Sequence, residues 1–548
     1  MAEWFHKQRI GDLPREAARL HGAREAMVFA DRRWTYAQFA AEVDRTAKGL
    51  IAAGVQPGEK VALWMVNRPE WLFLMYAVPL VGAVLVPLNT RYRSADMAYT
   101  VQQSNTVTLI THARSGPVDY LGLLQAAMPD LPRQAARALT LAAFPDLKRI
   151  VLTDRENAPG TLGWQAVMAA GDALSDRALA ERADAVDPDV TCLIAYTSGT
   201  TGHPKGVLHN HSVVRAGIDR MNRLGLTFDD VTMTYLPLFH LYGFSEAALH
   251  VLLTNGKLVL MEAFEARECV RLIEREKATV LHGFDTHFRD IMLAQESERR
   301  DLSSLRMGTF PSGMASSIPI AYATQKTLCP TVSGWGMTES WAFATCSFTN
   351  SSEEQRVEAS GFAMPGYEFR IVDPTTGRDL PAGEPGELLC RGYTVTRGYY
   401  NKPKETAEAI DAEGWLHTGD TCVMRADGHV RFLGRYKDIL KVGGENVSAA
   451  EVEAFIMALP AVAEVAVVSY PDPRLVQVPV AFVRIRPNHR LLASDVVEHC
   501  RDQIASFKVP RHVLFIDELP MTASGKVQKH KLRDLALEQL GPPERKTA

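Results

Sequence analysis

Five short apolar runs recur through the first half of the chain: KVALWMV (60–66), KRIVLTD (148–154), TCLIAY (191–196), KLVLME (257–262) and ATVLHGF (278–284). Each suits one strand, and the stretches between them carry helical patterning. Strands alternating with helices predict an α/β fold with largely parallel sheets. After about residue 350 the character changes to short strands and turns, YEFRIVDPTTG, GELLCRG and GHVRFLGR, which predicts a smaller β-rich subdomain. Beyond GRYKD (434–438) comes a further block: a helix at SAAEVEAFIMAL, strands at EVAVVSYPD and VPVAFVRI, a helix around ASDVVEHCRDQIA, and a strand at HVLFID. This is an α+β unit of ordinary domain size. The expected division is 1–434 for a large domain of stacked α/β sheets, 435–437 for a hinge, and 438–548 for a small α+β domain.

At 548 residues the chain exceeds one ordinary domain, and 46% hydrophobic with 23% charged residues is a globular composition. A net charge of −4 offers nucleic acid no bulk attraction. The sixteen histidines show no metal-ligand spacing, HNH at 209–211 being their one tight pair. Seven scattered cysteines without a CxxC fit a reducing compartment and buried thiols. The opening MAEWFHKQRIGDLPRE lacks an apolar signal-peptide core. WLFLMYAVPLVGAVLVPLN (71–89) carries no charge, but Pro79, Gly82 and Pro87 divide it, predicting a buried helix, a turn and a buried strand rather than a membrane span. The expectation is a cytoplasmic protein.

The stretch YTSGTTGHPKG (196–206) concentrates hydroxyls, glycines and one lysine directly after the strand-like TCLIAY. Glycines let backbone N–H groups approach an anion closely, and hydroxyls and an ammonium add donors, so the stretch reads as a phosphate cradle at a strand end. The plainer alternative is a surface loop of small polar residues. It is not a Walker A loop, because Lys205 lies between Pro204 and Gly206 rather than before Ser or Thr. GWGMTES (334–340) places Thr338 and Glu339 after a glycine–aromatic–glycine turn. Beside a polyphosphate, that carboxylate suits Mg²⁺, which takes few protein oxygens. GWLHTGD (414–420) ends in Asp420, a carboxylate able to accept both hydroxyls of a ribose. GRYKDILKVGGENVSAAEVE (434–453) and PMTASGK (520–526) add Arg435, Lys437, Lys441, a glycine pair and Lys526.

In this order the motifs resemble the adenylate-forming, AMP-binding superfamily, in its acyl-CoA synthetase or fatty-acid–CoA ligase branch, from RRWTYAQF (32–39) to Lys526. The resemblance implies that a carboxylic acid attacks the α-phosphate of ATP with Mg²⁺ present, giving an acyl-adenylate and pyrophosphate, and that the acyl group then passes to CoA. It implies that Thr197, Ser198, Gly199, Thr200, Thr201, Gly202 and Lys205 hold the β- and γ-phosphates, that Thr338 binds phosphate, and that Glu339 with Thr197 serves the metal. It puts Asp420 and Arg435 on the ribose, and Ser312, Gly313, Gly334, Trp335 and Gly336 around the adenine. Lys526 bridges the substrate carboxylate and the α-phosphate, where an ammonium offsets the repulsion of two anions most strongly in the transition state. A mobile C-terminal domain hinged at Lys437 is implied between the half-reactions, bringing Lys441, Gly443 and Gly444 into play for the thiol. Read alone, Lys526 is an ordinary surface lysine.

By the same resemblance PLFHLYGFSE (237–246) lines the acyl pocket. His240 stands there with Leu241 and Tyr242, where amino-acid-activating relatives carry an aspartate, which argues against an ammonium-bearing substrate. His240 reads either as a pocket residue near the carboxylate or as a packed core histidine. Gly336 stands where acetate-activating relatives close the pocket with Trp, which opens it to larger acids. Phe244, Phe284, His287, Trp335 and Trp341 are candidate walls, suiting a medium-chain, alicyclic or aromatic acid. The chain departs from the family pattern at Val476-Gln477, often Gly-Glu, at Ser312-Gly313, usually Gly-Gly, and at Trp335, commonly Tyr. The context of Lys526 resembles acetyltransferase targets, making a lysine acetyltransferase an expected partner, and a homodimer stays open. Three rival readings remain: a stand-alone adenylation enzyme loading a carrier protein, a luciferase-type oxygenase from a narrow branch of the same superfamily, and an inactive scaffold on the same fold. The full set Lys205, Thr338, Glu339, Asp420, Arg435 and Lys526 argues against the scaffold.

Overall fold

The computed structural model describes residues 7–156, 158–197, 204–313, 317–435, 439–520, 527 and 529–541. Of the expected site residues, Ser198, Gly199, Thr200, Thr201, Gly202, Lys437 and Lys526 lie outside them. The chain divides into two compact units. The first comprises Met1–Thr90, Val101–Tyr196 and Gly206–Gly434, and the second comprises Arg91–Thr100, Thr197–Lys205 and Arg435–Ala548.

Two seven-stranded sheets carry the α/β part. One runs, in spatial order, Thr331–Val332, Met307–Thr309, Val280–His282, Val231–Thr234, Lys257–Leu260, Glu25–Phe29 and Arg32–Thr35. Its pairings are parallel except for the hairpin of the last two strands. The other runs Lys205–Asn210, Thr191–Thr197, Val84–Pro87, Lys60–Trp64, Thr106–Thr111, Arg149–Leu152 and Leu162–Gly163. All five apolar runs of the sequence supply strands to these sheets. A four-stranded sheet, Tyr367–Val372, Pro385–Gly392, Leu416–Met424 and Val430–Arg435, forms the β-rich part.

Local chemistry explains the helices that cover the sheets. Thr35 caps the helix Tyr36–Ala52 reciprocally: Gln38 N–H donates to Thr35 Oγ1 at 3.3 Å, and Thr35 N–H donates to Gln38 Oε1 at 2.9 Å. The uncharged stretch resolves as expected. Pro69 opens the helix Pro69–Leu80, buried at every position but Glu70, and the wholly buried strand Val84–Pro87 follows. Trp71, Phe73, Tyr76 and Leu80 join the largest apolar core, with Phe39, Phe244 and Trp341. Among the described residues, no helix is long and apolar enough to cross a membrane.

In the second unit the strands run Glu445–Ser448, Ile439–Val442, Val476–Ile485 and Val462–Asp472, with His512–Phe515 parallel to Val476–Ile485. The helices Ala449–Met457 and Ala493–Cys500 bury Val452, Ile456, Val496 and Cys500 in its core. All seven cysteines are buried and unpaired, and burial pushes each thiol above its ordinary pKa.

Candidate active site

The glycine-rich stretch spans two neighbouring strands. Thr197 closes Thr191–Thr197 and Lys205, buried, opens Lys205–Asn210. Past the loop, the second strand is joined to residues 396–400: Tyr400 N–H donates to the Gly206 carbonyl at 2.8 Å, and Thr396 Oγ1 donates to that of Leu208 at 2.9 Å.

Thr338 and Glu339 sit in a short 3₁₀ turn, Thr338–Ser340. His209, buried at 4% exposure, faces the Thr338 carbonyl with Nε2 at 2.8 Å. Burial lowers the pKa of His209 to about 4, so near pH 7 the ring is neutral and Nε2 carries the donated proton. The Glu339 carboxylate is 6% exposed, and Tyr399 Oη donates to its Oε1 at 2.8 Å. The Glu339 carbonyl accepts from Thr396 N–H at 2.8 Å. Neither His209 nor Tyr399 emerged as a site candidate from the sequence. Their signals were the HNH pair and the aromatic pair in GYYNKP, which carry no chemistry until folding places them.

Beyond this turn the backbone enters the left-handed region twice in succession, Trp341 at φ +61° and Ala342 at φ +56°. Arg220, 1% exposed at its side chain, holds that segment: Nη1 donates to the carbonyls of Trp341 and Phe343, each at 3.2 Å, and Nη2 donates to Ser245 Oγ. Its charge is met by Glu246, wholly buried, with Nε to Oε1 at 2.8 Å. Burial raises the Glu246 pKa and the Arg220 guanidinium opposes that rise. The side chain of Trp341 lies between His209 (ring centroids 5.0 Å apart) and Phe244 (5.5 Å). Trp341 and Phe244 are 0% and 1% exposed, so these two expected pocket walls are core residues with no surface toward a ligand.

Trp335 and Asp420 meet. The indole Nε1 donates to Asp420 Oδ2 at 2.9 Å, with both residues buried. The Trp335 backbone N–H donates to Thr345 Oγ1 at 2.8 Å, and Gly334 beside it is buried. Gly336 is exposed, and a Cβ there would lie 1.5 Å from the Ala342 carbonyl oxygen across the hairpin of Gly336–Met337 with Ala342–Phe343. Close backbone approach is therefore sufficient reason for glycine at 336, whatever the size of the substrate. Ser312 N–H donates to Ser333 Oγ at 2.9 Å, Ser360 Oγ donates to the Ser312 carbonyl at 2.8 Å, and Arg431 Nε donates to that of Gly313 at 3.3 Å.

His240 is half-buried against Phe239, ring centroids 4.4 Å apart. Close to it in sequence, Tyr242 shares a 2.7 Å hydrogen bond with Thr309 Oγ1 and packs on Phe284 at 5.0 Å. His287 stands 4.8 Å from Phe264 and 4.9 Å from Tyr235. Tyr242, Phe284 and His287 are half-buried.

In the second unit, Lys441 lies in Ile439–Val442, and Gly443 and Gly444 turn the chain into Glu445–Ser448 at φ +56° and +87°. Two positive φ values in a two-residue hairpin loop are the demand of a type I′ turn, met here by two glycines. Arg435 closes the strand Val430–Arg435.

The sequence matches the family of AMP-binding enzymes over residues 14–400 and the AMP-binding enzyme C-terminal domain over 451–526. It is 35% identical over 542 residues to the putative acyl-CoA synthetase YngI of Bacillus subtilis (strain 168), covering 98% of each chain. It is 30% identical over 531 residues to the mitochondrial medium-chain acyl-CoA ligase ACSF2 of Danio rerio, covering 94% of this chain and 86% of that one. In fold it is similar to the o-succinylbenzoate CoA synthetase MenE of Bacillus subtilis bound to a product analogue, with a TM-score of 0.79 at 24% identity over 96% and 98% of the two chains. The chain belongs to the AMP-binding enzyme family, in its acyl-CoA synthetase branch, and is an ATP-dependent, AMP-forming carboxylic acid–CoA ligase.

Proposed function

We propose that the preferred substrate is a medium-chain carboxylic acid, with ring acids of similar bulk as its nearest competitors. The observation that carries this reading is the half-buried aromatic surface of Tyr242, Phe284 and His287, and the state of Glu246 limits it to acids without an ammonium group. Glu246 is the one carboxylate in the pocket stretch 237–246, and it is wholly buried and occupied by Arg220, so it offers nothing to a substrate ammonium. The half-buried Tyr242, Phe284 and His287 supply apolar and aromatic surface instead. The name of the Danio rerio relative, a medium-chain acyl-CoA ligase, supports the same choice.

In this reading the acid's carboxylate oxygen bonds to the α-phosphorus of ATP, the bond from that phosphorus to the β-bridging oxygen breaks, and pyrophosphate leaves. The nucleophile is already an anion, so no general base is needed. Residues 197–205 and Thr338 hold the phosphates, Asp420 and Arg435 the ribose, and Ser312, Gly313, Gly334, Trp335 and Gly336 border the adenine. Lys526 sits between the two reacting anions, and His240 lies near the carboxylate. Glu339 is an oxygen ligand suited to Mg²⁺, with its carboxylate oriented by the Tyr399 hydroxyl. When bound, that ion neutralises charge on the departing pyrophosphate. The second unit, hinged at Lys437, then serves the thiol step through Lys441, Gly443 and Gly444: the CoA sulfur bonds to the acyl carbon and AMP leaves. Acetylation of Lys526 by a lysine acetyltransferase removes the bridging charge and stops the first step.

The test is pyrophosphate release with ATP and Mg²⁺ across acetate, octanoate, palmitate, cyclohexanecarboxylate and benzoate, with and without CoA. CoA-dependent turnover greatest with octanoate supports the proposal. A preference for acetate or palmitate overturns the substrate reading. Adenylate formation that ignores CoA favours loading of a carrier protein.

A further inference from the structure

One residue of the second unit adopts a backbone conformation that its side chain opposes. Val476 lies at φ +68°. Gln477 N–H donates to the Leu475 carbonyl across it at 2.8 Å, closing a three-residue turn. This is the rare, strained form of the γ-turn, and a β-branched residue at its centre is an outlier. Such strain persists only where the surroundings over-determine it. Here they do. Asp472 Oδ1 accepts from the N–H groups of Arg474, at 2.9 Å, and Leu475, at 2.7 Å, fixing the chain that enters the turn. Val476 is also the residue where three strands meet, paired with Asp472 on one side and Val442 on the other.

The turn has a use for its geometry. The Leu475 carbonyl that closes it also accepts from Gly443 N–H at 2.8 Å. Two residues past Leu475, Gln477 Oε1 accepts from Lys441 N–H at 2.8 Å. The two amides flanking Val442 are thus held by a carbonyl and a side-chain oxygen from either side of Val476. A Cβ on Gly443 would stand 3.0 Å from Leu475 Cδ2, whereas Gly444 has nothing within 4 Å of that position and presents open space. One glycine of the pair is clamped and the other is presented.

We propose that Val476 and Gln477 are positioning residues for the thiol-transfer half-reaction: the strained turn at Val476 clamps the Lys441–Gly444 turn in the single placement in which it serves CoA. The inference rests on the reading that this glycine turn acts in the CoA step. Neither Val476 nor Gln477 is a catalytic residue, since each works through backbone amides of the turn it holds.

The experiment measures the CoA-dependent step and acyl-adenylate formation separately, by single-turnover assays on the full-length enzyme. Gln477→Leu removes the acceptor from Lys441 N–H, Gln477→Glu keeps it, and Val476→Pro, whose ring fixes φ at about −65°, breaks the turn. The expected result is a KM for CoA raised about fivefold to tenfold by Gln477→Leu, the weight of one hydrogen bond, and raised likewise by Val476→Pro, with a fall in the ratio of thiol transfer to adenylate formation. Gln477→Glu restores both quantities. Equal loss in both half-reactions, no change in either, or a Gln477→Glu enzyme as impaired as Gln477→Leu overturns the proposal. Gly444→Val separates the two levels. If it impairs thiol transfer while Gln477→Leu does not, only the clamp is wrong; if it too leaves thiol transfer intact, the role of the glycine turn falls with it.

Discussion

Trp335 and Asp420, eighty-five residues apart in sequence, share a 2.9 Å hydrogen bond from indole Nε1 to carboxylate Oδ2. The proposed ribose acceptor is thus aimed by the aromatic side chain that precedes Gly336. Trp335→Phe keeps the ring and deletes the donor. The expected outcome is a KM for ATP raised about tenfold, as befits one hydrogen bond to a charged group, with the KM for the acid far less affected. Steady-state kinetics with each substrate varied in turn check it.

Tyr399 stands behind Glu339 as Trp335 stands behind Asp420. Tyr399→Phe is expected to raise the Mg²⁺ concentration for half-maximal pyrophosphate release about tenfold, the usual cost of losing a group that orients a metal ligand. Glu339→Gln is expected to be worse at every Mg²⁺ concentration. A Mg²⁺ titration at saturating ATP distinguishes these variants from the wild type.

Arg220 and Glu246 form a buried pair, and breaking it from one side leaves an uncompensated charge in the core. Arg220→Met alone is expected to destabilise the protein by about 3–5 kcal/mol. The double substitution Arg220→Met, Glu246→Gln should recover part of that loss, because no lone carboxylate remains. Thermal unfolding of both single variants and the double variant gives the coupling directly.

The buried His209, with its pKa lowered from 6.5 to about 4, ties stability to acidity. Between those values the unfolded chain binds a proton that the folded chain refuses, so stability rises with pH across the window. The contribution is complete above about 6.5 and is lost as pH falls through about 4. His112, His211 and His282, each also lowered to about 4 with burial as the leading cause, act in the same direction. The midpoint of thermal unfolding should therefore drop steadily from pH 7 to pH 5. Replacing His209 by Gln should flatten that slope by up to about 1.4 kcal/mol per pH unit.

The α/β scaffold was readable because short apolar runs such as KVALWMV and KLVLME suit buried strands, and because Gly82, at φ +75°, turns the chain between the buried helix and strand, although Pro79 is accommodated inside the last turn of that helix. The motif residues stood out only as a set, through their resemblance to the AMP-binding family, since read singly a glycine-rich loop or Lys526 is ordinary surface. His209, Tyr399 and the Arg220–Glu246 pair were not, since each acts only through a partner distant in sequence. His209 reaches Thr338 across 129 residues, and Arg220 reaches Trp341 across 121. Trp341 misled for a related reason: an aromatic residue beside a catalytic turn looks like a pocket wall until packing shows both of its faces covered.

The seven buried cysteines bear on the chemistry of the second substrate. A ligase for CoA works with a thiol at every turnover and releases a thioester, a species that passes readily to any other accessible thiolate. Transfer of that kind needs a nucleophile that is both exposed and ionised. Here every cysteine is buried and every thiol pKa is raised. The fold thus withholds from its own product the thiols that would compete with CoA for the acyl group, and thioester exchange onto the enzyme's own cysteines is suppressed.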